Sequence, residues 1–279
     1  MDIIPVCSDS MGVRSMAVLV KAKGVSVFID PSAALGPSRY GLPPAREEVK
    51  ALHDFKEKIR KLAKDVDVIV ISHYHYDHHD PDEDFYKDKV VLAKDRLKNI
   101  NRSQRTRGKY FEDMVAPVAR LEYADGKEFD FGGVKIKFSK PYPHGPPGTR
   151  LGYVIMVCID DGGMRILHTS DVQGPVDEKC ADDIIEMNPD LIIVDGPPTY
   201  FLGWKFSVKS LERAINNLLR IIREIDCEII MDHHLLRDLR YKEHMAKVYA
   251  KGKIKTFAEY LGLENNMLEA RRKELWGYK

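Results

Sequence analysis

A chain of 279 residues that is 44% apolar and 31% charged can bury a sizeable core, which rules out a disordered, collagen-like or purely coiled-coil protein. Its 44 basic and 43 acidic residues leave a formal net charge of +1, so no global charge draws it onto nucleic acid or membrane, although local basic patches stay open. The four cysteines (Cys7, Cys158, Cys180 and Cys227) form no CxxC pair, which argues against zinc-ribbon, thioredoxin-like and disulfide-scaffold readings.

The start, MDIIPVCSDSMG, lacks the basic and apolar regions of a signal peptide, and the apolar runs are strand-length. No membrane segment and a cytoplasmic location are therefore expected. Residues 16–22 and 25–29 are β-branched runs joined by Lys23-Gly24 and read as a hairpin. Residues 31–44 hold four prolines and two glycines and read as loop. In 45–65, Val49, Leu52, Phe55, Ile59 and Leu62 recur at helical spacing, and the helix leads into a buried strand at 66–72. A short strand at 90–92 and broken helix up to 114 follow. Between Lys87 and Lys109 nine basic residues face two acidic ones, which suits either a solvated face or a positive rim for an anion.

From 128 the strands return. Residues 128–140 alternate around Gly132-Gly133, a hairpin signal, and 152–159 and 164–169 form another around 160–163. Residues 191–196 and 227–232 read as buried strands. Between them Ser207 caps a helix with the stripe Leu211, Ile215, Leu218, Ile222 and Ile225. The end of the chain reads as helical at 240–250 and 264–275. Without linker or repeat, 1–279 reads as one α/β domain with a basic insert at about 81–114 and a helical C-terminal segment at about 240–279. Neither GxGxxG after the first strand nor GxxxxGK[ST] is present, so those nucleotide-cradling loops are absent.

The chemistry concentrates in His73-Tyr74-His75-Tyr76-Asp77-His78-His79, directly after a buried strand. In an extended segment His73 and His75 point the same way and can share an ion, while Asp77 and His78 turn toward a second. Further ligands are expected at other strand ends: His144 in a proline-rich loop, Asp171 as a carboxylate able to bridge two cations, and His233 or His234 after the last strand. Alternation along an extended chain favours His233, with His234 behind it. His168 lies on its strand among apolar neighbours and reads as structural. Asp195 ends a buried strand and reads as a turn residue or a weak contact to the site. Arg150, Lys205, Lys209 and Arg237 are candidate anion contacts, and Tyr74 and Tyr76 read as packing or rim residues.

These residues resemble the metallo-β-lactamase superfamily. Its HxHxDH pattern is matched by His73, His75, Asp77 and His78, its early strand-end aspartate by Asp30, and its later motifs by His144, Asp171 and His233 or His234, in the family's order over residues 12 to about 238. The nearest resemblance is to an uncharacterised archaeal group of predicted metal-dependent hydrolases. The resemblance implies a four-layer αβ/βα sandwich of two mixed β-sheets flanked by helices. It implies two divalent ions: one on His73, His75 and His144, the other on Asp77, His78 and His233, with Asp171 bridging and Asp30 supporting a ligand histidine. Asp77 and Asp171 are the catalytic carboxylates of that scheme, and a metal-bridged hydroxide would be the nucleophile. Zinc suits the imidazole-rich shell, and iron or manganese also suit its mixed N/O donors.

The expected function is hydrolysis of an anionic ester, with a phosphoester slightly ahead of a lactone or thioester. The expected partner is an anionic small molecule or phosphodiester. Nucleic acid is less favoured, because only about 60 residues separate Asp171 from His233 and leave no space for the long extra domain of nucleic-acid-processing relatives. The competing readings are a metal-stabilised binding protein and a diiron oxidoreductase. His75 opposes the second, since diiron relatives carry glutamate there.

Overall fold

The computed structural model describes residues 1–278. Its first sheet has six strands in chain order: β1 (Asp2–Ser8), β2 (Met16–Ala22), β3 (Val25–Ile29), β4 (Val68–Ile71), β5 (Val90–Ala93) and β6 (Arg120–Tyr123). β1 to β3 pair antiparallel, and β3 to β6 pair parallel. The second part of the chain supplies β7 (Glu128–Phe131), β8 (Val134–Phe138), a small β9–β10 pair (Tyr142–Pro143 with Tyr153–Val154), β11 (Val157–Asp160), β12 (Arg165–His168), β13 (Leu191–Val194), β14 (Glu228–Met231) and β15 (Lys253–Lys255). The second sheet runs β15-β14-β13-β12-β11-β8-β7, with β12 to β15 parallel.

Strand alternation builds the layers. Val68 and Val70 of β4 face Ile166 and Ile193 in a core between the sheets. Ile69 and Ile71 point the other way, onto Ile59, Phe111 and Val115. Those three residues belong to helices α1 (Arg46–Ala63) and α2 (Arg102–Val115). On the far side, Leu167, Ile192 and Ile229 meet Ile184 of α3 (Glu178–Met187) and Leu218 of α4 (Val208–Glu224). The result is the expected αβ/βα sandwich, and burial on both faces explains why the central strands read as unbroken apolar runs.

The Lys23-Gly24 and Gly132-Gly133 turns have positive φ at both residues (48° and 81°; 60° and 87°), which a two-residue hairpin turn of this hand requires. Ser207 caps α4, its Oγ accepting the Ser210 N–H at 3.0 Å. Val49 was expected in the α1 stripe but is 54% exposed. The neighbouring Glu48 faces inward instead, because Arg272 neutralises it there. The basic stretch at 81–114 is part of the first sheet and its helical cover. It supplies β5, hydrogen-bonded between β4 and β6, and α2, which covers that sheet. The C-terminal segment is less helical than expected: β15 joins the second sheet, and the helical pieces are four-residue turns such as Tyr241–His244 and Arg272–Leu275.

Candidate metal centre

The parallel strands of the two sheets end along one edge of the sandwich. The site residues follow those ends: Asp30 after β3, His73 after β4, Asp171 after β12, Asp195 after β13 and His233 after β14. Loops outside the carboxyl ends of parallel strands are where an open sheet can converge polar side chains. Asp30, Ser170 and His233 take left-handed backbone (φ 47°, 56° and 54°), an uncommon conformation for residues with a Cβ and one that concentrates at sites held by their surroundings.

The seven expected ligands converge there. His73, His75, His144 and Asp171 bring donor atoms within 4.8 Å of one another, and so do Asp77, His78 and His233. Asp171 lies between the two sets. Its Oδ2 is 3.0 Å from His144 Nε2 and 3.5 Å from His73 Nε2, while its Oδ1 is 3.2 Å from His78 Nε2 and 3.6 Å from His233 Nε2. One carboxylate thus turns one oxygen to each histidine set. Asp77 Oδ2 lies 3.6 Å from His233 Nε2.

Supporting side chains fix the rings. Asp30 Oδ2 is 2.8 Å from His78 Nδ1, and Ser72 and Ser170 hydroxyls sit 3.1 and 3.2 Å from His73 Nδ1. Asp9 Oδ2 is 2.8 Å from His233 Nδ1, and Asp9 Oδ1 accepts from Arg237 Nε at 2.8 Å. Such partners set the tautomer and leave Nε2 facing the cluster. Asp9 was not anticipated. It lies just after β1, a strand masked in the sequence by Pro5 and by an irregular register between Pro5 and Cys7.

The final pair is less one-sided than alternation suggested. β14 stops at Met231, so His233 is no longer extended, and both rings reach the cluster. His234 Nδ1 is 2.7 Å from Asp195 Oδ2, and its Nε2 is 3.8 Å from Asp171 Oδ2. Asp232 turns away to accept the backbone N–H groups of Ser10, His233 and Phe257 at 2.7–2.9 Å. His79 and His168 also turn away: the first meets the His75 carbonyl and the second the Met16 carbonyl, each at 3.0 Å.

Burial pushes the His73 pKa well down and that of His75 to about 3, which favours neutral, electron-donating imidazoles. Burial also opposes a charge on His78, but Asp171 and Asp30 on either side outweigh it and hold its pKa well above the ordinary range. Burial raises Asp171 less than the surrounding histidines lower it. Among the described residues, buried His78 Nε2, both His144 ring nitrogens and Asp171 Oδ1 find no hydrogen-bond partner. Unpartnered buried polar atoms are costly, and their convergence here, with mixed imidazole and carboxylate donors, fits a group of metal ions.

The cluster forms the base of a cleft of about 1090 Å³. Arg150, Lys205, Arg237 and Tyr76 line it, whereas Lys209 is exposed elsewhere and Tyr74 is buried packing. Of Arg102, Arg105 and Arg107 only Arg107 reaches the cleft. Most of the basic excess is spent on structure: Lys94 pairs with Asp125, Arg96 with Glu112, Lys98 with Asp95 and Lys109 with Asp113, while Lys89 caps the Lys64 and Val66 carbonyls. Among the described residues no helix is long and apolar enough to cross a membrane.

The sequence model described as a beta-lactamase superfamily domain matches residues 13–231. A UPF0282 protein of Thermococcus gammatolerans is 48% identical, with 99% of this chain and 95% of that protein covered. Two solved structures share the fold. An isothiocyanate hydrolase from Delia radicum gut bacteria superposes with a TM-score of 0.55 at 16% identity, covering 88% of this chain and 95% of its own. Tm1679, a metal-dependent hydrolase of the beta-lactamase superfamily, superposes with a TM-score of 0.53 at 15% identity, covering 91% and 94%. With the HxHxDH loop and its partners gathered at one sheet edge, the chain belongs to the metallo-β-lactamase superfamily, within its UPF0282 group.

Proposed function

We propose that this protein is a dinuclear metal-dependent hydrolase of an anionic ester, with a phosphoester ahead of a lactone or thioester. The observation that carries the reading is the division of the cluster about Asp171, one oxygen toward His73 and His144 and the other toward His78 and His233. His73, His75 and His144 would hold one ion, Asp77, His78 and His233 the other, and Asp171 would serve both. Zinc suits so many imidazoles, and iron or manganese also accept mixed nitrogen and oxygen donors. When bound, such ions supply Lewis acidity and a water acidic enough to be a nucleophile near neutral pH.

The chain's own residues prepare that chemistry. Asp30, Asp9 and the Ser72 and Ser170 hydroxyls hold His78, His233 and His73 in place. Asp77, Asp171 and His234 line the cleft, where a substrate would enter. Arg237, only 3% exposed, lies beside His233 and Asp77 and adds fixed positive charge at the base. Both similar folds described above are named as hydrolases, which agrees with the reading. Phosphodiesters, lactones and thioesters offered to native-purified protein test it. Phosphodiester cleavage abolished by chelation and by Asp171→Asn is the expected result. Cleavage of none of the three by metal-replete protein would overturn it.

A further inference from the structure

The walls of the cleft are built for more than an anion. Among the described residues its acidic side chains are Asp77 and Asp171, both in the cluster at its base. Five cations line it. Arg14 is compensated by Glu269 and Arg237 by Asp9. Among the described residues Arg107, Arg150 and Lys205 have no carboxylate partner. Arg107 lies 4.7 Å from the Tyr76 ring centroid, and Lys205 Nζ stands 4.1 Å from that of Trp204 and 5.1 Å from that of Phe201. Cations resting on ring faces keep their charge available to an incoming anion.

The same wall is aromatic. Tyr200, Phe201 and Phe206 line the cleft, and Trp204 beside them is 74% exposed. Their loop is fixed by its own backbone: Leu202 donates to the Thr199 carbonyl, Phe206 to that of Phe201 and Gly203 to that of Phe206, at 2.9–3.1 Å. Phe206 is buried in the core, but Tyr200 and Phe201 are half-buried and Trp204 is exposed. Rings held open to water by a rigid loop mark a surface that an apolar ligand covers. An anion alone would leave them wet. We infer that the cleft takes a small anionic ester carrying a flat aromatic group, its charge set against Arg150 and Lys205 and its ring against Phe201 and Tyr200. The ester bond in this inference rests on the hydrolase reading; the charge and the ring rest on the cleft walls alone.

Three probes that cannot be hydrolysed separate the elements: phenylphosphonate, methylphosphonate and benzyl alcohol, followed by calorimetry and by Trp204 fluorescence on the metal-replete protein. Phenylphosphonate should bind about tenfold or more tightly than methylphosphonate, since a buried ring contributes at least that much. Benzyl alcohol should bind more weakly than either. Phe201→Ala should bring phenylphosphonate to the level of methylphosphonate. Lys205→Met, at an exposed position that spares folding, should weaken both phosphonates together. Equal affinity for the two phosphonates in the unaltered protein, or a Lys205→Met variant that binds both as before, would overturn the inference. If the expected pattern appears while no ester is cleaved, the hydrolase reading falls and the ligand class stands. If esters are cleaved with no preference for a ring, the hydrolase reading stands and this inference falls.

Discussion

Replacing Arg272 with methionine should destabilise the protein severely, although Arg272 lies in the last ten residues and far from any expected ligand in sequence. Its side chain is fully buried and clamps Glu48, also fully buried, through Nε at 2.8 Å and Nη2 at 2.7 Å. The same guanidinium donates to the Gly36 and Leu42 carbonyls at 2.9 and 3.2 Å. Methionine fills much of the volume but leaves a buried carboxylate with, among the described residues, only the Ala45 N–H, at 2.8 Å, as donor. Breaking one side of such a pair costs about 3–5 kcal/mol. Urea unfolding at neutral pH measures it. Adding Glu48→Leu to Arg272→Met should restore part of the loss, because removing both charges leaves no uncompensated one. The loop at 31–44, which supplies Leu35 and Pro37 to the cleft, should become the first site of proteolysis in the single variant. A loss below about 1 kcal/mol in Arg272→Met, or a double variant no better than the single one, would refute the reasoning.

Further outcomes follow from other contacts. Asp9→Asn should lower metal affinity by about ten- to a hundredfold, because the His233 ring loses its orienting carboxylate. It should also cost stability, because buried Arg237 loses its paired carboxylate. Metal titration of the folded variant checks the first and urea unfolding the second. Burial pushes the Glu269 carboxyl up, but its two 2.6 Å bonds to Arg14 outweigh that and lower its pKa from 4.5 to about 2. A depressed carboxylate contributes stability that is present above its unfolded value and lost on acidification, so about 3 kcal/mol should disappear between pH 4.5 and 2, and Glu269→Gln should flatten that slope in acid unfolding. Arg107→Glu should raise KM for anionic substrates with little change in kcat, whereas Arg102→Glu and Arg105→Glu, which lie outside the cleft, should leave both near wild type.

The sheets and the metal-ligand candidates were legible in the sequence because strong local signals and their tertiary roles coincide. Val68–Ile71 is buried on both faces and therefore reads as an apolar run, and His73 to His78 follow it without a gap. The turn at Lys23-Gly24 is written in residue types that tolerate positive φ. What stayed hidden depended on partners distant in sequence. Val49 and Glu48 exchange places because Arg272, more than two hundred residues later, neutralises the glutamate. Asp9 meets His233 across 224 positions. Nothing local to SDSMG announces that contact. The basic stretch at 87–109 misleads by composition alone, since Lys94 and Arg96 are matched with carboxylates that only folding brings near, and of Arg102, Arg105 and Arg107 only Arg107 reaches the cleft. The alternation rule failed at His233 and His234 because the strand had already ended.

The most direct test of the account is elemental analysis of protein purified without added metal or chelator, alongside Asp171→Asn prepared in the same way. The division of Asp171 between two histidine sets predicts about two transition-metal equivalents per chain in the wild type and about one or fewer in the variant. A wild-type protein that saturates at a single equivalent, or a variant that retains both, would contradict it.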